Sequence, residues 1–540
     1  MMIRNVSSLS ARRFDVLVIG GGIHGLAVAY DAAQRGLATA LVERADFGSG
    51  SSFNHAKTLH GGLRSLQSGD LVKARFSIGE RRAVARIAPP LVTPLAFMMG
   101  TTRTPTRSTW AMRAGFLLDA ALGFDRNAGV EPHLRLPAGR LLGRDAYDAA
   151  FGRNARAGVT GAAQWSDYHM AEADRLTLAF AQAAAAHGAV LANYAEATEA
   201  LVHDGRLHGV RVVDRQSGAS LDVEARITVN AAGAACRPWM ERFGARPPFP
   251  LLKAMNLVTS RPAGPAALSA PTSGGRLLLI MPWHGRMLIG TSHSDQPADP
   301  SDTRVRREEL LDFIGEVNSA FPALSLSEGD VTLVHRGVVP AVRNRRGALG
   351  LMGHHRIHDH ERDGVAGAIS VAGVKYTTAR GVAEQVLALI SDKLGTSLPP
   401  CRTGTTRLPF WDFGTVSGEA ERAAASAGGV LDAESIRAVV ATHGTAWRAV
   451  LARCERNPAL VARIAPDVPY PAAAILHAIE DEMACTLADV VVRRLPVGAA
   501  GHPGDRVVAA CGAIMASALG WDPGRLAAEI EAVRDFYRVW

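Results

Sequence analysis

Residues 14–43 constrain the chain most. They read FDVLVIGGGIHGLAVAYDAAQRGLATALVE. A short apolar run at 15–19 breaks on three consecutive glycines, an alanine-rich helical pattern follows to about Arg35, and Gly36 stops it. A second apolar run, 38–42, ends in an acid, Glu43. This is a strand–turn–helix–strand unit carrying G-x-G-x-x-G at Gly20, Gly22 and Gly25. Gly20 suits the tight turn, Gly22 lets a pyrophosphate approach the backbone, and Gly25 lets helix pack on strand. The helix start offers free N–H groups and partial positive charge to phosphates. Glu43, 18 residues past Gly25, stands where a carboxylate accepts from ribose hydroxyls. The alternative is a glycine-rich turn in an ordinary α/β sheet.

The chain has 540 residues, enough for two or three domains around large cores. With 59 Lys+Arg against 51 Asp+Glu, its net charge of +8 is mild. That suits an anionic substrate or an acidic membrane surface without requiring either. No Lys/Arg run points to nucleic acid. The five cysteines, Cys236, Cys401, Cys454, Cys485 and Cys511, are odd in number and scattered. They argue against a disulfide framework and a zinc site, and fit a reducing cytoplasm. The first residues hold no apolar signal core, and no run reaches the ~18 apolar residues of a membrane span.

Residues 44–69, rich in Gly, Ser and Asn, read as a long loop over a ligand. Ser51, Ser52, Asn54 and Lys57 can donate to phosphates or to a ring system. In His60-Gly61-Gly62-Leu63-Arg64 the glycines allow close approach between a bracketing His and Arg; the alternative for His60 is a structural histidine bonding loop backbone. A helix is expected over 71–88, ended by Pro89, Pro90 and Pro94. Residues 95–150 are mixed, with two alanine-rich helical stretches, and open a second, substrate-side domain. A helix at 174–187 leads to strands over 190–202 and 207–214, and a strand at 225–230 closes on Ala231-Ala232-Gly233, a second tight junction suited to a cofactor. Residues 250–300 alternate at period two, with a hairpin at 277–281 and 287–290, so an antiparallel sheet is expected to floor a pocket. A helix at 306–317 and a strand at 330–339 follow.

Residues 343–362 hold His354, His355, His358 and His360 among arginines. Without well-placed carboxylate or thiolate partners they read as an exposed polar loop, and no metal is expected. A strand at 368–371 leads to Gly373–Thr378, which opens a helix over 379–394 and makes a second anion or ring site with Lys375 at its edge. Residues 401–413 look like a linker, and from about 417 the chain is helical. Ile475, Ile479, Met483, Leu487 and Val490 keep one face apolar while Glu480, Asp481, Glu482 and Asp489 mark the other. A separate all-α domain with no evident chemistry is expected.

Four further stretches carry a family resemblance: SSFNHAKTLHGGLRSL, LLLIMPWHGRMLIGTSHSD, ISVAGVKYTTAR and VPYPAAAILHAIEDEMACTLADVVVRR. With the glycine unit they resemble, in order and over most of the length, the FAD-dependent glycerol-3-phosphate dehydrogenases and oxidases of the D-amino-acid-oxidase-like flavoproteins. The resemblance implies an α/β fold: a Rossmann-type FAD-binding domain, an interleaved antiparallel-sheet substrate domain and a C-terminal all-α domain. The core would span 1–405, with FAD-binding parts at about 12–90, 155–245 and 345–400 and substrate parts at about 91–154 and 246–344; the helical domain would span 406–540. FAD would be held non-covalently by Gly20, Gly22, Gly25, Glu43, Ser51, Ser52, Lys57, Gly61, Gly233, Gly373, Lys375, Tyr376 and Thr377.

The implied reaction is oxidation of a secondary alcohol to a ketone by hydride transfer to flavin, glycerol 3-phosphate giving dihydroxyacetone phosphate. His60 is the candidate base, and Arg64 and Lys375 orient the substrate and stabilise developing negative charge. The family's G-V-R-P arginine, which binds substrate, is Val339 here, and the tyrosine after its H-G-G-L-R is Ser65. Loss of one charge-assisted bidentate contact costs roughly a few kcal/mol unless Arg336, Arg343 or Arg356 replaces it. A flavoenzyme for another polyol, sugar-like alcohol or amine is therefore the alternative. A non-catalytic flavin binder is disfavoured by His60, Arg64 and Lys375 occurring together. Quinone or oxygen would take the electrons, in the cytoplasm or peripherally at the inner membrane face, from a protein that can form a homodimer.

Overall fold

In the computed structural model, residues 2–66, 69–245, 249–344 and 347–540 are described, the Arg64 side chain lying outside them. The strand Phe14–Ile19 is buried along nearly its whole length rather than on one face. That is what a parallel strand covered on both sides requires. It is the fourth strand of a sheet ordered Arg356–Asp359, Ala368–Ala372, Ser220–Asn230, Phe14–Ile19, Thr39–Val42, Val190–Ala192. All pairings are parallel except that of the first, edge strand. The hairpin Ala195–His203 and Arg206–Asp214 extends the early half of Ser220–Asn230 as an antiparallel ribbon. Helices Ile23–Gln34, Ala173–Ala186 and Ala379–Leu394 pack together against this sheet. The strand Ser220–Asn230 is longer than its apolar end at 225–230 suggests, because its polar first half pairs in the ribbon.

A second, ten-stranded sheet is assembled from separated stretches of chain. Strands Leu251–Thr259, Leu277–Trp283, Arg286–His293 and Val331–Arg343 form its antiparallel centre. Thr93–Thr101 and Gly161–His169 extend it, and Thr58–Leu59 pairs at its far edge. Residues 44–69 are therefore not one loop: they contribute this edge strand and the helical turn Leu63–Leu66. The strand Thr93–Thr101 begins the stretch that the sequence leaves mixed, ahead of its helical parts. The histidine-rich stretch is not a loop either. Strands Leu349–Leu351 and Arg356–Asp359 run through it, and its histidines find different partners: His354 pairs with Asp70, His355 with Gln385, and His358 and His360 share Asp363.

The C-terminal region packs helices from Val416–Ala427 to Pro523–Tyr537. It also contains a two-stranded hairpin, Arg463–Ala465 and Val468–Pro471, turning on Pro466-Asp467. Its core is continuous with that of the first sheet's helices. The acidic side of the 475–490 stretch is not a solvent face. Only Glu480 stays at the surface; Asp481, Glu482 and Asp489 are buried. Arginine partners explain this: Arg453 for Asp481, Arg175 for Glu482, and Arg493, four residues on in the same segment, for Asp489. Arg175, on Ala173–Ala186, forms a two-pronged pair with Glu482 at 2.8 and 2.5 Å. Arg493 and Arg494, on the π-helical segment Asp489–Arg494, converge on Asp46.

Candidate active site

Where the strand Phe14–Ile19 ends, Gly20 turns the chain at φ +106°. A side chain there would meet the Ala231 carbonyl oxygen at 2.7 Å, and one on Gly25 would meet the Gly20 carbonyl oxygen at 1.9 Å. The two glycines thus bring helix and neighbouring strand against the turn. The cavity that opens over it measures about 1330 Å³. Gly20, Gly22, Glu43, Ser51, Ser52, His60, Gly233, Gly373, Lys375, Tyr376 and Thr377 all line it. Gly25 contributes through packing rather than contact.

Glu43 holds its carboxylate at the wall through N–H donation from Gly21 at 2.6 Å and Ala45 at 2.8 Å. Burial raises its pKa, partly offset by these two donors. A carboxylate has about four acceptor sites, so acceptor capacity remains for ribose hydroxyls. Ser52 Oγ accepts from Ile23 N–H at 2.9 Å and fixes the first helical turn. The cavity, its glycine turn, the helix start and this carboxylate fit a dinucleotide, and the ends of four parallel strands converge there.

Two residues expected at the cofactor are elsewhere. Lys57 is fully buried and does not line the cavity: its Nζ donates to the Phe53 carbonyl at 2.6 Å and lies over the Phe53 and Trp283 rings. Gly61 N–H donates to Asp167 Oδ1 at 2.8 Å, and a side chain at Gly61 would strike the Arg81 guanidinium. Its role is to let that buried pair form.

His60 sits on the cavity wall at the end of Thr58–Leu59, with its Nδ1 3.2 Å from Asp167 Oδ2 and its Nε2 2.8 Å from Thr58 Oγ1. Its backbone N–H donates to Thr377 Oγ1 at 3.2 Å. Asp167 is buried on the strand Gly161–His169. Burial alone would raise its pKa, but the paired Arg81 guanidinium and then His60 hold it below the usual carboxylate range. A charged Asp167 assigns the imidazole tautomer: Nδ1 carries the proton and Nε2 is the atom that can take one. The sequence reading misses Asp167; an acid between the aromatic residues Trp165 and Tyr168 was the available signal.

Lys375 lines the cavity with its Nζ 3.5 Å from Ser77 Oγ. The Tyr376 ring stacks on His55 at 4.9 Å, and its hydroxyl, whose pKa burial raises, shares a hydrogen bond with Thr177. The Arg64 side chain lies outside the described residues. Val339 lines the cavity, as does Arg336 on the same strand. Arg343 and Arg356 do not: Arg343 donates to the Gly347 carbonyl, and Arg356 is exposed on the edge strand. Phe536, from the last helix, is an unforeseen part of the wall.

This geometry agrees with the comparisons to known proteins. Residues 15–389 match the family described as FAD dependent oxidoreductase, and residues 401–526 match the C-terminal domain of alpha-glycerophosphate oxidase. The chain belongs to the FAD dependent oxidoreductase family, and FAD is its cofactor. Within that family it is 32% identical to a glycerol-3-phosphate dehydrogenase of Synechocystis, over 92% of this chain and 90% of the relative. It is 29% identical to the mitochondrial glycerol-3-phosphate dehydrogenase of Bos taurus, over 97% of this chain and 73% of the relative. Among solved structures, the glycerol-3-phosphate dehydrogenase of Bacillus halodurans complexed with FAD has the same fold, with a TM-score of 0.74 over 99% of this chain and 96% of that one at 24% identity. The L-alpha-glycerophosphate oxidase of Mycoplasma pneumoniae with FAD bound aligns at a TM-score of 0.54, 15% identical over 74% of this chain and 99% of that one.

Proposed function

We propose that this enzyme oxidises glycerol 3-phosphate to dihydroxyacetone phosphate. The observation that carries the reading is His60, backed by the buried Asp167, on the wall of the same cavity as the glycine turn. FAD, when bound, supplies the two-electron acceptor. His60 Nε2 takes the substrate hydroxyl proton, and Asp167 steadies the imidazolium that results. Lys375 and Arg64 orient the alcohol oxygen, and Arg336 meets the phosphate. Gly20, Gly22, Glu43, Ser51, Ser52, Gly233, Gly373, Tyr376 and Thr377 hold the cofactor, with Gly25 shaping the turn beneath it. Quinone or oxygen then takes the electrons. Anaerobic mixing of the yellow protein with glycerol 3-phosphate should bleach the flavin at sub-millimolar substrate. Full FAD occupancy without bleaching would overturn the substrate assignment. Val339 on the cavity wall favours one second reading, an alcohol with a different tail, which a panel of polyols and hydroxy acids would identify.

We also infer peripheral contact with an anionic membrane, at the inner face for a cytoplasmic enzyme. The helix Thr109–Leu122 exposes Trp110 at 78% and Leu117 at 68%, and Phe124 beyond it at 81%. Arg103, Arg107 and Arg113 flank them, the Arg113 guanidinium lying over the Trp110 ring at 5.5 Å. Among the described residues no helix is long and apolar enough to cross a membrane. Vesicles containing phosphatidylglycerol should pellet the protein, and Trp110→Ser with Leu117→Ser should release it. Equal pelleting of the double variant would reject this surface.

A further inference from the structure

The last residues of the chain return to the cavity. The helix Pro523–Tyr537 lies beside the strand Val331–Arg343. Phe536 lines the cavity and stacks edge-on against Phe53 at 5.8 Å. Tyr537 anchors the turn by donating to the Gly498 carbonyl at 2.7 Å. Val539 packs against the substrate-side core, and the Arg307 guanidinium lies over the Trp540 ring at 5.7 Å. Residues 536–540 are therefore tied at both ends. All lie beyond residue 526, where the match to the C-terminal family domain stops.

What this segment grips is Arg336. Its Nη1 donates to the Arg538 carbonyl at 2.8 Å, and its Nη2 reaches the Phe536 carbonyl at 3.5 Å. Its backbone N–H is held by Asn54 Oδ1 at 3.0 Å. A guanidinium has five N–H donors, so two point into the segment and the others stay available. Among the described residues no carboxylate acts on Arg336. Burial, then the charge of the neighbouring Arg304, lowers its pKa. A half-buried cation beside a second cation is the environment a dianion relieves. Neutral carbonyls fix the direction of the guanidinium without cancelling its charge.

We propose that residues 536–540 form a strap that positions Arg336 as the recognition group for the phosphate of the substrate, in the cavity where Val339 offers no charge. The strap rests on the reading of the substrate as a phosphorylated alcohol. Arg336 binds the phosphate; the strap acts through it. An uncharged alcohol gains nothing from either.

The test uses the FAD-loaded enzyme, a deletion of residues 538–540 that leaves Phe536 and Tyr537, Arg336→Ala, and the combination. The ratio of kcat/KM for glycerol 3-phosphate to that for glycerol is measured with a soluble electron acceptor. FAD occupancy is read from absorbance. The deletion and Arg336→Ala should each lower the ratio by about ten-fold or more, mainly through KM. The combination should lower it no further than Arg336→Ala does. Multiplying losses in the combination, or an unchanged ratio in either single variant, would overturn the proposal. Inorganic phosphate, followed by the change in flavin absorbance, separates this from the substrate reading. If wild type ignores glycerol 3-phosphate yet binds phosphate, and both variants bind phosphate about ten-fold more weakly, the substrate reading fails and the strap stands. No phosphate binding by wild type, or equal binding by all forms, would overturn the strap.

Discussion

His60→Asn is expected to slow flavin reduction by the alcohol about 100-fold or more, with FAD occupancy unchanged. The imidazole lines the cavity, so its loss removes a base and not a support for the fold. Asparagine can keep a hydrogen bond to Asp167 or Thr58 but accepts no proton at neutral pH. Stopped-flow bleaching under anaerobic conditions measures the step directly. A rate within about three-fold of wild type would remove His60 as base, since general base catalysis contributes about 100-fold or more. Asp167→Asn should slow the same step, because a neutral amide no longer selects the tautomer with Nδ1 protonated. Its effect comes through His60, so it should vanish in a His60→Asn background. It also leaves the buried Arg81 without its carboxylate, and a thermal melt of that variant separates a positioning effect from loss of fold.

The first strand, its glycine turn and Glu43 were legible because their chemistry is local. Gly20 needs a positive φ, and Gly25 needs a bare Cα; both demands act within a few residues. The His60-Gly61-Gly62 stretch was legible as a site for the same reason. Its partner was not, because Asp167 is brought up by a strand 107 positions away in the chain. Lys57 misled for the opposite reason. It lies three residues before His60, but it stands just outside the two-residue strand Thr58–Leu59 with a left-handed backbone at φ +53°, and its side chain sits in the wall between Phe53 and Trp283. The acidic stretch at 480–489 misled because charge at helical spacing usually marks solvent. Here three of the four acids turn inward: Glu482 meets Arg175 and Asp481 meets Arg453, both brought up from elsewhere in the chain, while Asp489 meets Arg493 four residues on.

Asp46→Asn is expected to destabilise the attachment of the C-terminal region by about 3–5 kcal/mol. Asp46 accepts from Arg493 Nε at 2.7 Å and from both Nη atoms of Arg494 at 2.8 Å, while Asn193 Nδ2 donates to it at 3.1 Å. All of these groups are buried. Removing the one carboxylate leaves two guanidinium groups facing each other out of water, though Asp489 still holds Arg493 at 2.6 Å and the Glu482 carbonyl still accepts from Arg494 at 2.9 Å. The loss comes from stranded charge rather than from the worth of the pair itself, so Arg494→Met added to Asp46→Asn should recover part of it. The pH dependence has a fixed sign. Burial would raise the Asp46 pKa, but Arg494 and Arg493 bring it down to about 2. Unfolded, it titrates near ~3.9. Its contribution is therefore complete above the unfolded value and is lost as pH falls toward 2. Glu482, held low by Arg175, works in the same direction. His477 works in the other: Asp481 and Glu482 raise its pKa against the effect of burial, so what it contributes fades as pH rises through that value. Urea denaturation of wild type and Asp46→Asn across pH 2–7 should show the variant weaker near neutrality and the two converging in acid. Asp46 lies on the loop that follows Glu43, but that loop is also held by Tyr194 N–H donating to the Ala45 carbonyl at 2.9 Å. FAD content should thus survive at neutral pH. Curves that differ by the same amount at every pH would mean that the Asp46 carboxylate is not what holds the two arginines in place.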